Sequence, residues 1–438
     1  MSQVSNISGR DVYVVDGCRT PFLKAKSLGI FTGSDLAQKA GATLLNRLPI
    51  QPTDIDEVIV GCAMPGPDEA NIARIVALRL RCGDNVPAFT VMRNCASGMQ
   101  ALDNAAMQIA NGRSELVLAG GTDAMSRAPL LFNDNMAKWL SQWFMAKSMG
   151  QRMGLMLKFR PSYLAPVIAL LRGLTDPIVG LNMGQTAEEV AFRFGLTREM
   201  MDAFAARSHA EVLKAYHDGI MDEVIPMIDN KGRVYDKDDG MREDSTPEKL
   251  AKLKPFFDKK YGMVTAGNSS QITDGACMLM LASHDAVKKY KLPVLGRIVD
   301  SQWAALTPSQ MGLGPVHATI PIMQRHQLKS NDFDTWEINE AFSAQVLGCM
   351  AALDNDEYCK THFGLDKAFG APDSARLNPN GGAIALGHPI GASGARIVLH
   401  VLETLKKTKG KRGMASICIG GGQGGAMYLE RSTEVKGS

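Results

Sequence analysis

The feature that most constrains the fold is a set of short patterns that recur in the same order in the two halves of the chain. Ile298-Val-Asp300 repeats Val14-Val-Asp16 at an offset of 284 residues. Three further pairs follow: Phe333–Ile338 with Ile55–Ile59, Ala392–Gly394 with Ala96–Gly98, and Ile417–Gly421 with Leu116–Gly121. Each match is weak, but four in one order predict an internal duplication. The alternative is that strand-turn-helix units simply resemble one another.

The apolar patterning indicates alternating strands and helices. Strands are predicted at 11–16, 58–61, 89–91 and 116–119, and helices at 34–48 and 99–110. This alternation predicts a layered α/β fold with a largely parallel sheet. At 438 residues the chain is long enough for three compact units. We expect an N-terminal half at 1–125, completed by about 271–285, a mostly helical inserted loop domain at 126–270, and a C-terminal half at 286–438.

Composition excludes several classes of protein. The 48 basic and 45 acidic residues give a net charge of +3, which argues against nucleic acid as a partner. The eight cysteines are scattered without a C-x-x-C pair, so neither a disulfide framework nor a cysteine-rich metal site is expected. Residues 1–10 are polar and lack the features of an export or transit signal. The default expectation is a cytoplasmic enzyme without a bound metal.

One segment, residues 135–175, has a local charge bias that the overall composition hides. It holds six basic residues and no acidic one: Lys138, Lys147, Arg152, Lys158, Arg160 and Arg172. Tryptophan, phenylalanine and methionine side chains recur at helical spacing, which predicts two amphipathic helices with a break near Pro161. Such helices lie in membrane interfaces or contact a partner chain. The alternative is a helical lid packed on the core.

Cys95 is the candidate nucleophile, because it stands between a predicted strand and a predicted helix in Arg93-Asn-Cys-Ala-Ser-Gly98. Backbone N–H groups and the helix dipole at a helix N-terminus lower a thiol pKa, so we expect a thiolate-prone cysteine. The alternative is a small buried residue at a tight turn.

Three other places carry candidate site residues. His388 lies in a segment dense in glycine and proline, which projects one imidazole as a base. Cys418 precedes a glycine run whose bare N–H groups, at Gly420 and beyond, can form an oxyanion hole. A phosphate cradle is the competing interpretation of that run, but the Walker lysine is missing. Asn339 and Glu340 follow a predicted strand, although Glu340 could equally serve in an ion pair or a cap. Together these groups indicate covalent acyl chemistry with an unspecified acyl group.

These motifs resemble those of the thiolase family over nearly the whole chain. The matching segments are Asn-Cys-Ala-Ser-Gly at 94–98, Asn-Glu-Ala-Phe at 339–342, Gly-His-Pro-Ile-Gly-Ala-Ser-Gly at 387–394 and Cys-Ile-Gly-Gly-Gly at 418–422. The resemblance implies two similar five-stranded α/β halves with an inserted loop domain, assembled as dimers or larger oligomers. It also implies a 3-ketoacyl-CoA thiolase, an acetyl-CoA acyltransferase of fatty-acid β-oxidation.

The resemblance assigns a role to each matched position. Cys95 attacks the 3-keto carbon, His388 takes its proton, and Cys418 protonates the departing acetyl-CoA carbanion and later deprotonates free CoA. One oxyanion is held by His388 and a water on Asn339, and the other by the N–H groups of Cys95 and Gly420. Ser270 matches a serine that contacts CoA. CoA is a substrate, and no metal or redox cofactor is expected.

The basic insertion resembles that of the β subunits of fatty-acid-oxidation trifunctional complexes. There it contacts the membrane, and the β chain pairs with an α chain carrying hydratase and 3-hydroxyacyl-CoA dehydrogenase activities. This implies a bacterial heterotetramer in the cytoplasm, with a peripheral contact at the inner face of the membrane.

Three rival interpretations remain open. A ketoacyl synthase or hydroxymethylglutaryl-CoA synthase shares the fold, but its nucleophilic cysteine is not expected to pair with a second one in the position of Cys418. A biosynthetic acetoacetyl-CoA thiolase runs the reaction as a Claisen condensation. A lipid-binding or scaffolding relative keeps the fold without the chemistry.

Overall fold

The computed structural model describes residues 7–432. Its strands are β1 (Val12–Arg19), β2 (Leu23–Lys24), β3 (Glu57–Gly61), β4 (Ala88–Val91), β5 (Leu116–Ala124), β6 (Leu130–Phe132), β7 (Pro166–Ile168), β8 (Met227–Ile228), β9 (Val234–Tyr235), β10 (Thr273–Ser283), β11 (Gly296–Ala305), β12 (Thr335–Ile338), β13 (Arg412–Ile419) and β14 (Gln423–Glu430).

The α-helices surround this sheet and fill the connections. They are α1 (Gly33–Arg47), α2 (Ile72–Arg79), α3 (Ser97–Ala110), α4 (Asp134–Met145), α5 (Met149–Leu157), α6 (Ala169–Gly173), α7 (Met183–Arg193), α8 (Arg198–His217), α9 (Pro247–Leu250), α10 (His284–Tyr290), α11 (Gly314–His326), α12 (Ser343–Leu353), α13 (Asp356–Phe363), α14 (Ala383–Leu386) and α15 (Ile390–Thr408).

The main sheet has the strand order β12-β13-β14-β11-β1-β10-β5-β3-β4, with β2 pairing to β10. The two halves meet where β1 runs antiparallel to β11. The expectation of a largely parallel sheet is wrong. Among the described residues, β3 is parallel to β4 and β5, and β12 to β13, while the other pairings of this sheet are antiparallel. The reason is that β10, which follows the loop domain, lies antiparallel between β1 and β5, and β14 lies antiparallel between β11 and β13.

The internal duplication is confirmed by a β-bulge that occurs at matching places in β1 and β11. In β1 the register shifts between Val14 and Asp16, and in β11 it shifts between Ile298 and Asp300. Each aspartate accepts a hydrogen bond from the next backbone N–H, at 2.8 Å from Gly17 and 2.9 Å from Ser301. The same bulge with the same side-chain support therefore occurs at matching places in the two halves.

The outer edge of the C-terminal half is shorter than that of the N-terminal half. Beyond β12, at the position that β4 occupies in the first half, the described residues form a single parallel bridge between Trp336 and Leu377. The second half thus has four full strands and a one-residue remnant of the fifth.

The centre of the molecule is the pair of duplicated helices, α3 and α15. Their apolar side chains pack with buried residues from the sheets of both halves, including Met99, Ile109, Leu399, Ile417 and Met427. Burying a side chain of this size contributes about 1.5–3 kcal/mol. The helices approach closely because glycines line the contact. A Cβ on Gly98 of α3 would lie 2.6 Å from the carbonyl oxygen of Gly391 in α15.

The basic insertion folds as two helices, but its break is not at Pro161. The first helix, α4, ends at Met145, and α5 begins at Met149, because Ser148 and Gln151 form a capping box that starts a new helix. Pro161 opens a single 3-10 turn, after which β7 pairs with β6. The described residues contain no helix long and apolar enough to cross a membrane.

Candidate active site

The nucleophile candidate sits on a tight turn between β4 and α3. Asn94 adopts a positive φ of 43°, and its carbonyl accepts a hydrogen bond from the Ser97 hydroxyl at 2.7 Å. The same hydroxyl accepts from the backbone N–H of Arg93 at 2.9 Å. These contacts fix the turn so that Cys95, which is partly buried, lies two residues before the first residue of α3.

A glycine turn from the second half closes on this cysteine. The side-chain amide of Asn94 donates to the carbonyl oxygen of Gly420 at 2.9 Å, and the backbone N–H of Gly420 is directed at the Cys95 thiol. Gly421 and Gly422 follow with φ values of 93° and 78°, which favour glycine. The two halves are therefore joined at the proposed point of chemistry.

The expectation that Cys95 is thiolate-prone is wrong for the free protein. Burial raises the pKa of its thiol above the ordinary 9.0, and the carboxylate of Asp123 adds to the rise. The N–H groups of Gly420 and Cys95 act in the opposite direction, but burial is the larger effect. The thiol is thus protonated at neutral pH and needs a base before it can attack.

Cys418 faces the same place from the end of β13. Its side chain is fully buried among apolar residues of the loop domain and the C-terminal half, including Met183, Met311 and Phe342. Burial raises the pKa of its thiol well above the usual range, and the neighbouring Cys95 raises it further. A protonated second thiol beside the first is suited to donating a proton.

His388 is a buried imidazole whose tautomer is fixed by its neighbours. The Ser393 hydroxyl lies 2.6 Å from Nδ1 of His388 and 3.0 Å from the carbonyl oxygen of Pro389, to which it donates. It therefore accepts from Nδ1–H, which leaves Nε2 with a free lone pair. Burial and the charge of Arg396 lower the pKa of His388 to about 4, so the ring is neutral at pH 7.

Nε2 of His388 and Nδ2 of Asn339 are both buried without a hydrogen-bond partner in the part of the chain that the structure describes. Unpartnered buried polar atoms are rare and indicate a place where a ligand group is bound. Asn339 follows β12, and its backbone N–H donates to the Ser416 carbonyl at 2.9 Å. The amide of Asn339 is thus available to donate to an oxyanion, and Nε2 of His388 can donate to one after it has taken a proton.

Ser270 lies on the segment that links these two groups. Its backbone N–H donates to the Ala341 carbonyl at 2.9 Å, and the next residue, Gln271, accepts from the His388 N–H at 2.9 Å. The structure therefore places Ser270 between the Asn339 loop and the His388 loop, where it is partly exposed.

The Glu340 carboxylate is held by hydrogen bonds within the protein and is not free to bind a ligand. Its carboxylate accepts hydrogen bonds from the Ser208 hydroxyl at 2.6 Å, the Asn378 amide at 2.9 Å and the Ile384 N–H at 3.2 Å. Burial raises its pKa. Of the two interpretations given above, the structure favours the one in which Glu340 holds its neighbours, here the loop that leads to His388.

Sequence reasoning missed three residues that shape this site: Asn94, Ser393 and Arg396. All three stand inside the matching motifs or next to them, but nothing in their spacing shows which atom each one contacts. Among the described residues, no group of three or more histidine, cysteine, aspartate or glutamate side chains is arranged to hold a metal ion. The arrangement offers two thiols, a neutral imidazole and several N–H donors, which is a set suited to acyl transfer through a thioester.

Comparison with known families agrees with this chemistry. Residues 12–285 match the model of the thiolase N-terminal domain, and residues 292–431 match that of the thiolase C-terminal domain. Human "Trifunctional enzyme subunit beta, mitochondrial" is 36% identical over 424 residues, covering 96% of this chain and 88% of that protein. "Beta-ketoadipyl-CoA thiolase" from Pseudomonas knackmussii is 39% identical over 432 residues, covering 96% of this chain and 99% of that protein.

Solved structures give the same result for the fold. The structure of human mitochondrial 3-ketoacyl-CoA thiolase in complex with CoA superposes with a TM-score of 0.85 at 35% identity, covering 99% of this chain and 100% of that one. The acetyl-CoA acetyltransferase of Bacillus anthracis superposes with a TM-score of 0.83 at 35% identity, covering 98% of this chain and all of that one. The solved structures share the fold of this chain, and the printed names that state an acyl substrate differ in it.

Proposed function

Because the chain belongs to the thiolase family, we propose that it cleaves 3-ketoacyl-CoA with CoA, giving acetyl-CoA and an acyl-CoA two carbons shorter. This is the last step of fatty-acid β-oxidation. The observation that carries the proposal is the hydrogen bond from the Asn94 side chain to the Gly420 carbonyl at 2.9 Å, which holds the glycine turn after Cys418 against the turn that carries Cys95.

In the first half-reaction, Nε2 of His388 takes the proton of Cys95, and the sulfur attacks the 3-keto carbon. The bond between C2 and C3 of the substrate breaks, and its electron pair passes to the acetyl-CoA fragment. Cys418 donates its proton to that carbanion, so acetyl-CoA leaves and an acyl-Cys95 thioester remains. The raised pKa of Cys418 keeps the thiol protonated until the carbanion, a far stronger base, forms beside it, and makes the thiolate left behind a stronger base for the second half-reaction.

In the second half-reaction, the Cys418 thiolate takes the proton of free CoA, and the CoA sulfur attacks the acyl-Cys95 carbonyl. The bond from the acyl carbon to Cys95 breaks, and His388 returns its proton to the released sulfur. The oxyanion that forms at the acyl-Cys95 thioester accepts hydrogen bonds from the backbone N–H groups of Cys95 and Gly420. The other oxyanion accepts them from Nε2 of His388, once that atom carries a proton, and from Nδ2 of Asn339. These are the two buried atoms that have no partner among the described residues.

CoA-dependent thiolysis is the direct test, followed as loss of the magnesium-enolate absorbance of 3-ketoacyl-CoA. Wild type is expected to turn over substrates across short to long acyl chains, and Cys95→Ala is expected to show no turnover. The matched control is Cys82→Ala, since Cys82 is buried in the core beneath α1 and α2, away from the site. Turnover by Cys95→Ala at the wild-type rate would end the proposal.

The second candidate function is the reverse direction, condensation of two acetyl-CoA to acetoacetyl-CoA. The likeness to the Bacillus anthracis acetyl-CoA acetyltransferase supports it. A substrate panel separates the two, because a biosynthetic enzyme prefers acetoacetyl-CoA over all longer chains. The panel includes 3-ketoadipyl-CoA, because the Pseudomonas relative bears that name.

We also propose that two copies of this chain form a homodimer core and that an α subunit with hydratase and 3-hydroxyacyl-CoA dehydrogenase activities completes a heterotetramer. Support for the dimer is the edge strand β4, which among the described residues pairs with β3 on one side and with no strand on the other. Unpaired edges are places where chains associate. Support for the α subunit is the likeness to the trifunctional β subunit. The mass of the purified protein in solution tests the dimer.

The insertion is proposed to contact the inner face of a membrane from the cytoplasm. Within it, Trp139 stacks with Trp143 and meets Phe159 edge-on, which gives the insertion a small core of its own. Its outer surface exposes Phe144, Met145, Met149, Met153, Met156 and Leu157, each with more than half of its surface accessible. Exposed apolar side chains beside basic ones fit an anionic lipid surface.

Binding to vesicles tests this contact. The full chain is expected to bind vesicles rich in anionic lipid and to be released by salt. Lys147→Glu with Arg152→Glu is expected to weaken binding, while the control pair Lys252→Glu with Lys254→Glu, outside the insertion, leaves it unchanged. Equal binding by both pairs would remove the lipid contact and leave a partner chain or a helical lid.

A further inference from the structure

Arg396 is a fully buried arginine that the mechanism above does not use. It lies on α15, about two turns beyond His388, with 1% of its surface exposed. One terminal nitrogen donates a short hydrogen bond to the Glu337 carboxylate on β12. The other terminal nitrogen lies 3.4 Å from Oδ1 of Asn339. The same guanidinium therefore joins a buried ion pair to the amide of the oxyanion-binding loop.

The geometry of the guanidinium explains why this link requires arginine. Its planar fork carries separate N–H donors that can reach two acceptors at fixed angles, whereas a lysine ammonium is a single point of charge. Glu337 lies in β12, and Asn339 is the first residue after that strand, two positions along the chain. The guanidinium contacts both side chains, so they lie on the same side of the chain. A lysine at 396 could keep the pair with Glu337 but could not hold both acceptors.

The contact also decides which way the Asn339 amide points. With Oδ1 toward the cationic guanidinium, the amide nitrogen Nδ2 must point away from it, because a flipped amide would place donor against donor. Nδ2 is the atom that lacks a partner among residues 7–432. The orientation required for Asn339 to donate into the site is therefore the one that Arg396 selects.

We propose that Arg396 is a positioning residue, which fixes the amide of Asn339 so that its Nδ2 donates to an oxyanion or to a water that binds it. The inference rests on the proposed function, since it concerns the same reaction. It predicts that Arg396 matters only as long as Asn339 is present. The charge of Arg396 also lowers the pKa of His388, and Arg396→Lys preserves that charge.

A double-mutant cycle on thiolysis tests this dependence. Asn339→Ala is expected to lower kcat about 100-fold, the usual cost of losing one oxyanion donor. Arg396→Lys is expected to lower kcat about 10-fold in the wild-type background, with KM nearly unchanged. In the Asn339→Ala background the same change is expected to alter kcat by less than about 2-fold.

Two controls separate positioning from damage to the fold. Arg325→Lys changes another buried arginine of the C-terminal half, whose Nε lies 2.9 Å from Asp300, and is expected to leave kcat unchanged. Alkylation of Cys95 by iodoacetamide needs no oxyanion donor, so its rate is expected to be the same in Arg396→Lys and wild type. If Arg396→Lys does not fold, Arg396→Gln with Glu337→Gln removes both charges together, and the same cycle is run with it.

Two results would overturn the positioning role. One is that the losses of kcat in the two single variants multiply in the double variant, and the other is that the loss of kcat in Arg396→Lys is matched by an equal loss of the alkylation rate. An Arg396→Lys enzyme as active as wild type would also overturn it. Absence of thiolysis in wild type itself would count against the proposed function instead, because the cycle presupposes a wild-type rate.

Discussion

The Ser393 hydroxyl oxygen lies 2.6 Å from Nδ1 of His388, one turn ahead of it on the same segment. Because that hydroxyl donates its own proton to the Pro389 carbonyl at 3.0 Å, it can only accept from the imidazole. The proton of neutral His388 is thereby held on Nδ1. The lone pair of Nε2, which is buried without a partner among the described residues, is then free to accept a proton.

Without the Ser393 hydroxyl, His388 should still act as a base, but its ring and its tautomer would be less well fixed. Ser393→Ala is expected to lower kcat for thiolysis about 10-fold, since proton transfer by a well-oriented base contributes 10²–10⁴-fold and part of its orientation remains. The control is Ser330→Ala, which removes another buried hydroxyl that bonds a backbone carbonyl, that of Gly370, far along the chain. Equal kcat in Ser393→Ala and wild type would show that the tautomer is fixed by something else.

Cys95 in the free protein should react with alkylating agents more slowly than an ordinary thiol at neutral pH. Burial raises its pKa above 9.0, and only the thiolate reacts, so the rate of iodoacetamide alkylation should climb about 10-fold per pH unit between about pH 6 and about pH 9. The measurement is mass spectrometry of the peptide that contains Cys95. A plateau in the rate below about pH 8 would contradict the raised pKa.

The rate of thiolysis should fall with decreasing pH only far below neutral pH. His388 acts as a base only when it is neutral, and burial with the charge of Arg396 lowers its pKa to about 4. The rate is therefore expected to be insensitive to His388 down to about pH 5 and to fall as pH drops through about 4. Profiles of kcat/KM in the free enzyme check this, and a limb near pH 6.5 in a protein that is still folded would show an unperturbed histidine.

The close contact of α15 with β5 should tolerate no side chain at Gly391. A Cβ there would lie 2.4 Å from the Thr122 carbonyl oxygen and 2.9 Å from the Asp123 carboxylate, both held in the sheet. Gly391→Ala is expected to destabilise the fold by roughly 1–3 kcal/mol, because backbone would have to shift.

The matched control for that substitution is Gly150→Ala in α5. A Cβ at Gly150 would meet nothing within 4 Å, and the residue lies inside a helix, so the change should stabilise the helix by roughly 0.5–1 kcal/mol. Thermal denaturation of both variants measures the contrast. A Gly391→Ala protein as stable as wild type would mean that α15 can move away from β5 at no cost.

Much of the fold, including the turn that carries the candidate nucleophile, could be predicted because it depends on local patterns. The repeat of Val14-Val-Asp16 in Ile298-Val-Asp300 proved to be a repeated β-bulge, and a bulge with an aspartate in it is encoded within a few residues. The turn at Cys95 could be placed for the same reason. The break in the insertion was also local, since Ser148 and Gln151 carry a capping signal that the proline at 161 outweighed in the prediction.

The rest depends on contacts between residues that are distant in sequence. The strand directions could not be predicted because β10, which follows the whole loop domain, inserts antiparallel between β1 and β5. The pKa of Cys95 was predicted in the wrong direction because the helix start is visible in sequence, whereas the burial that outweighs it comes from packing. The role of Arg396 was invisible, since its partners Glu337 and Asn339 are more than 50 residues away.

The acyl-Cys95 thioester is the species on which the whole account depends. Incubation with 3-ketoacyl-CoA in the absence of free CoA, followed by acid quench and peptide mass spectrometry, detects it directly. One acyl group is expected on the peptide that contains Cys95, and it is expected to pass to CoA when CoA is added. No adduct is expected in Cys95→Ala. An acyl group found on Cys418 or another residue, or acyl-CoA formed by Cys95→Ala, would contradict it.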